Sequence, residues 1–97
     1  MAYAISSKTH GTFIGCGMGL AFFSRGDTAG QYIAYTDATR EGMADFAREL
    51  EEASGTLTDL QVVEVASGHW RDLQAAGLHI GDMASNQLMA QEPVGAC

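Results

Sequence analysis

The stretch Thr12–Phe23, TFIGCGMGLAFF, decides the fold. It is apolar, and Gly15, Gly17 and Gly19 recur at every second residue. A period of two is that of a β-strand, whose successive side chains point to opposite faces. Read as one strand through residue 24, it sends Ile14, Cys16, Met18, Leu20 and Phe22 to one face. Phe13, Gly15, Gly17, Gly19, Ala21 and Phe23 go to the other. The first face is bulky and needs a second layer over it. The second is bare in its middle and aromatic at both ends. The segment is too short to cross a bilayer as a helix, which takes about 20 residues. With Lys8 ahead of it, it has the length of a signal-peptide core. The polar Ser24-Arg25-Gly26-Asp27 stands where a small-residue cleavage site would be, which favours the strand.

On the C-terminal side, Arg25–Gly30 reads as a turn and Gln31–Thr36, QYIAYT, as the second strand of a β-hairpin. On the N-terminal side, residues 2–6, AYAIS, form a short first strand, and Ser6–Gly11 a loop. The clearest helix follows the hairpin. Thr36, Asp37 or Thr39 caps its start and Gly55 ends it. Met43, Phe46, Ala47, Leu50 and Ala53 share one helical face, which can cover the hairpin. Gly42 inside it costs up to ~1 kcal/mol relative to Ala and weakens the first turn. After a connection at Thr56–Asp59, the β-branched run Leu60–Ala66 predicts a strand. Ser67 caps a shorter helix, GHWRDLQAA, with Trp70, Leu73 and Ala76 as its apolar edge and Gly77 as its stop. In the tail, His79–Cys97, the run MASNQLMAQ suits either a helix or an edge strand, and Pro93 ends both. This order predicts one α+β domain over residues 1–97, with 91–97 as a fraying tail. Its class is two-layer: a small, mostly antiparallel sheet, made of the hairpin plus one or two more strands, with two or three helices on one face.

The chain of 97 residues has room for one core, and its 46% apolar content is too high for a disordered segment. Twelve Asp and Glu against five Lys and Arg give a net charge of −7. That balance opposes direct binding to nucleic acid or to a membrane surface, both of which call for clustered cations. The two cysteines, Cys16 and Cys97, are too few for a disulfide framework and read as reduced thiols of a cytoplasmic protein. Cys16, on the bulky face, is expected to be buried, where thiolate formation is suppressed. That leaves little room for a Cys–His catalytic pair.

No catalytic motif is visible. Gly15-x-Gly17-x-Gly19 has Leu20 where the dinucleotide fingerprint needs its last glycine, and no helix starts after it. Such glycines instead let another backbone or ring approach a strand. Flanked by Phe13 and Phe23, the strip is also a place where a second copy of the chain can dock. His10, His69 and His79 have neither the i, i+4 spacing nor the Cys-x-x-Cys companion of common metal sites. The expectation is therefore a non-enzyme without metal or cofactor.

The acidic residues say more. Glu41, Asp45 and Glu49 are spaced i, i+4, i+8 and form one stripe along the first helix, and Glu51 and Glu52 extend it. Like charges at this spacing oppose the helix by ~0.2–0.5 kcal/mol per pair. Carboxylates at a helix C-terminus also meet the unfavourable end of its dipole. Arg40 and Arg48 offset this only in part. A solvated face that aids solubility is the plain explanation. The functional one is a patch that meets a basic protein surface. Trp70, the single tryptophan, is either a core anchor or an interface residue.

This profile resembles anti-CRISPR proteins, the short inhibitors encoded by phages and mobile elements. What carries the resemblance is the small acidic α+β domain with its Glu41/Asp45/Glu49/Glu51/Glu52 patch and no catalytic motif. The resemblance implies a cytoplasmic inhibitor, inside the bacterial host, that binds a CRISPR–Cas effector complex. It would block DNA binding or nuclease recruitment by standing in for DNA phosphates. The candidate partner-binding residues are then Glu41, Asp45, Glu49, Glu51, Glu52 and Trp70. An immunity protein that neutralises a nuclease toxin shares the same physics. A small homo-oligomeric phage accessory protein, with a homodimer built through a strand edge, is the third reading.

Overall fold

A computed structural model describes residues 1–24, 33–78 and 89–94. Strand β1 (Ala2–Ser7) pairs along its length with β5 (Leu60–Val65), Ala2 opposite Val65 and Ser7 opposite Leu60. Its other edge is shared between two strands. Ser6 and Ser7 pair with β2 (Gly11–Gly17), and Tyr3 and Ala4 with the two-residue β4 (Thr36–Asp37). Beyond β2 lie β3 (Leu20–Ser24) and then β6 (Met89–Pro93). Every pairing is antiparallel, and the six strands form one sheet. Helix α1 (Arg40–Ser54) joins β4 to β5, and α2 (Trp70–Ala75) follows β5.

The stretch Thr12–Phe23 is two strands rather than one. The chain reverses at Met18-Gly19, both with positive φ (56° and 78°), and Gly17 pairs with Leu20 across the turn. Positive φ at both central residues marks the type I′ turn, whose twist matches that of the flanking strands. Glycine supplies the second position without strain, while Met18 adopts an uncommon left-handed conformation. A register shift between Phe13 and Gly15 breaks the period of two, so Cys16 pairs with Ala21 on the face of Phe13 and Phe23; Phe13, Ala21 and Phe23 are wholly buried, whereas Cys16 is exposed. No described atom lies within 4 Å of where a Cβ would stand on Gly15 or Gly17, so these glycines admit no close neighbour from the described chain. Phe13 and Phe23 cannot flank an exposed docking strip, because both lie in the core. Of the expected hairpin partner Gln31–Thr36, residues 33–35 are not in a strand and Thr36 pairs with β1, while residues 25–32 lie outside the described residues.

Helix α1 matches its sequence signals. Thr39 is the N-cap, its hydroxyl accepting from the Gly42 N–H at 3.1 Å. Gly55 ends the helix in the left-handed conformation. Met43, Ala47 and Leu50 are buried and Phe46 is partly buried, while Ala53 is exposed. Gly42 has a specific reason. A Cβ there would stand 2.8 Å from Thr39 Oγ1 and 3.2 Å from Asp37 Oδ2, so the glycine leaves room for the cap.

The fold is two-layer α+β. Its helical layer is α1, which covers a core of Ile5, Phe13, Ala21, Phe23, Met43, Leu50, Leu57 and Val94. The ring of Phe13 makes edge contacts with Phe23, Tyr35 and Phe46 at centroid distances of 5.5–5.7 Å. The short α2 gathers on the reverse of the sheet. Leu73 and Leu78 pack there with Ala4, Val65 and Ala34, and the strand residues Ala4 and Val65 face away from Ile5 and Val62 of the α1 side. His69 is the α2 N-cap, in place of Ser67. Ser67 instead accepts from the His69 N–H and donates to Asp72. In the tail, Gln91–Pro93 are paired with β3 and Val94 is buried, so the ladder reaches into the stretch expected to fray. Residues 79–88 and 95–97 lie outside the described residues.

Candidate functional site

The outer face of α1 carries the acidic stripe. Its 15 residues keep Glu41, Asp45 and Glu49 on the side opposite Met43, Ala47 and Leu50, so all three carboxylates are exposed. Glu52 is also exposed, and Glu51 is half-buried. Arg48 donates to Asp45 at 3.0 Å, with both side chains about two-thirds exposed (65% and 66%). A pair this wet contributes little stability, but it does cancel one charge in the middle of the stripe. The guanidinium of Arg40 lies 5.1 Å from the centre of the Tyr3 ring, and the Tyr3 hydroxyl donates to Glu64. That cation is thus engaged at the sheet. No basic residue stands in the last turn of α1, where Glu51 and Glu52 are placed. With Arg48, Leu57 and Thr58 they line an open depression of about 370 Å³.

Trp70 is not joined to this stripe. It opens α2, which packs on the reverse of the sheet through Leu73, and its side chain is outside the described set. Glu41, Asp45, Glu49 and Glu52 share the outer face of α1, Glu51 lies at its flank beside the depression, and Trp70 belongs to another part of the fold.

A polar corner that sequence reasoning missed lies where β1 leaves the sheet. The buried Ser7 hydroxyl donates to Asp59 Oδ1 at 2.8 Å and accepts from the His10 N–H at 3.0 Å. His10 Nδ1 stands 3.2 Å from the same oxygen, and the Thr9 N–H and hydroxyl donate to Asp59 Oδ2. Partial burial pushes the Asp59 carboxyl upward. The hydrogen bonds from Ser7 and Thr9 outweigh it, and the pKa falls below the ordinary value. Serine, histidine and aspartate together suggest a nucleophilic triad, but the order differs. In a triad the serine proton goes to the histidine and the aspartate orients that histidine. Here the serine hydroxyl donates its hydrogen bond to the carboxylate and is buried, a geometry that fastens the Ser7–Gly11 loop to the start of β5. The only hint in the sequence is Ser-Ser-Lys-Thr-His followed some fifty residues later by Asp59, a separation no local pattern bridges.

Cys16 also departs from expectation: it is exposed and disulfide-bonded, not a buried thiol. Among the described residues, no group of three or more His, Cys, Asp or Glu is placed to hold a metal ion. No helix among them is long and apolar enough to cross a membrane.

Fold and surface together define a small α+β protein with one strongly acidic helix face. No family model matches the chain, no curated protein is significantly similar to it, and no solved structure matches it.

Proposed function

We propose that this protein is a non-catalytic inhibitor that acts by binding, with the outer face of α1 as its contact surface. The observation that carries the reading is the exposure of Glu41, Asp45, Glu49 and Glu52 along a helix whose other side is fully committed to the core. Such a convex row of carboxylates suits a basic surface built for phosphates, and it speeds and orients the encounter. The resemblance to anti-CRISPR proteins names the partner class: a CRISPR–Cas effector complex, engaged at its DNA-binding groove in the bacterial cytoplasm. In that compartment the glutathione pool acts against the Cys16 disulfide, so the assay is run on oxidised and on reduced protein.

The test uses purified effector complexes of several types, with target-DNA binding as the readout. The expected result is loss of DNA binding to at least one of them, with inhibition weakening as salt rises. The triple reversal Glu41→Lys, Asp45→Lys, Glu49→Lys is expected to reduce affinity at least tenfold while keeping the circular dichroism spectrum. Equal affinity of this variant, or no inhibition of any complex, overturns the proposal. Tight binding to a nuclease toxin without effect on DNA targeting would move the reading to an immunity protein.

A further inference from the structure

The reverse face of the sheet carries a half-enclosed cavity of about 250 Å³ between β1, β5 and the end of α2. Residues directly opposite on antiparallel strands share a face. Ser6 stands opposite Gln61 and Ala4 opposite Val63, so Ser6, Gln61 and Val63 lie on the side that α2 takes. Past α2 the chain turns at Gly77, with φ 80°, and the Leu78 N–H donates to the Leu73 carbonyl at 3.0 Å. This helix-ending turn folds Leu78 back onto the sheet, where it closes the cavity beside Val63. One end of the cavity is thus polar, with Ser6, Lys8 and Gln61, and the other apolar, with Val63 and Leu78.

Lys8 gives the polar end its character. Its neighbours Ser7 and Thr9 are both hydrogen-bonded to Asp59, so the backbone on either side of it is anchored. Arg48 pairs with Asp45, and Arg40 lies over the Tyr3 ring. The side chains of Lys8, Ser6 and Gln61, by contrast, have no hydrogen bond or ion pair among the described residues. In a chain with twelve Asp and Glu against five Lys and Arg, a lysine left without a carboxylate is the exception. An ammonium, a hydroxyl and an amide N–H all donate, and together they call for an anionic acceptor.

We infer that this cavity binds a small monocarboxylic acid, with the carboxylate at Lys8, Ser6 and Gln61 and the hydrocarbon body against Val63 and Leu78. Same-face neighbours on a strand lie about 7 Å apart, so the step from Gln61 to Val63 matches a body of roughly five carbons. The cavity is smaller than those that take drug-sized ligands, which fits an acid of this length. The rest of the protein is negative and repels anions, so retention depends on the Lys8 charge. The inference is independent of the proposed inhibitor function.

The experiment titrates the isotope-labelled full chain with hexanoate at constant salt and reads backbone amides by NMR. Saturable shifts are expected at Ser6, Lys8, Gln61 and Leu78. Acetate, which lacks the hydrocarbon body, should bind at least about tenfold more weakly. Hexanol, which lacks the charge, should give no matching shifts. Lys8→Gln is expected to weaken hexanoate binding at least about fivefold, while Lys8→Arg keeps it within about twofold. Lys8 is exposed, so both variants should leave the α1 amides in place, which the same spectra check. Absence of saturable shifts, equal affinity of Lys8→Gln, or equal shifts from hexanol overturns the assignment.

Discussion

On the α1 side of the sheet the space is filled by large side chains: Phe13, Phe23, Met43 and Leu50, with Phe46 and Tyr35 edge-on to Phe13. On the α2 side it is filled by Ala4, Ala34, Val65, Leu73 and Leu78. The first arrangement rests on buried apolar area, the usual driving force of folding. The second rests on close approach of backbones. The Ala34 N–H donates to the Gly68 carbonyl at 2.9 Å, and a Cβ on Gly68 would lie 2.5 Å from the Ala34 carbonyl oxygen. One sheet can thus be covered in two ways, by a long amphipathic helix on one face and by a tethered turn of helix on the other.

Four substitutions test this contrast. Phe13→Ala takes away the ring at the centre of the aromatic contacts and should cost about 3–5 kcal/mol in urea unfolding. A cost below 1 kcal/mol would mean that the α1 core does not depend on it. Gly68→Ala should cost about 2–3 kcal/mol, because the obstacle is backbone and cannot rotate aside. A neutral result would show that the α2 side tolerates separation from residues 33–34. At Gly42, helix propensity alone predicts that Ala stabilises. The added Cβ meets the Thr39 hydroxyl, so Gly42→Ala should instead destabilise by about 1 kcal/mol through the lost cap, visible as a lower Tm. The smallest effect is expected at the polar corner. The pKa of Asp59 is lowered in the folded state, so its contribution is complete above the ordinary value of 3.8 and fades as pH falls below that. The Tm gap between wild type and Asp59→Asn should therefore be widest near neutral pH and shrink below about pH 4. A gap independent of pH would contradict the ionic role.

What could be read in advance tracks how local the physics is. Helix α1 was legible from Thr39 to Gly55, because the cap, the apolar period and the C-cap glycine all lie within the segment they specify. Strands β1 and β5 were legible as β-branched or alternating runs, and the acidic stripe was legible because helical spacing alone sets it. Thr12–Phe23 was misread because period two is the same for one long strand and for two short ones joined by a two-residue turn. Met18 carries no turn signal, and it lies 98% exposed at the tip. The polar corner was invisible because Ser7 and Asp59 meet only through the pairing of β1 with β5.

By itself, then, the sequence determined the α+β class, the position of the main helix, its buried face and its acidic outer face. These follow from side-chain periodicity and capping, which act within a few residues. Only the tertiary structure decided the strand order, the reversal at Met18-Gly19, the side of the sheet that α2 takes and the state of Cys16. Each of these depends on backbone groups and side chains from distant segments competing for the same partners. No local pattern records the outcome of that competition.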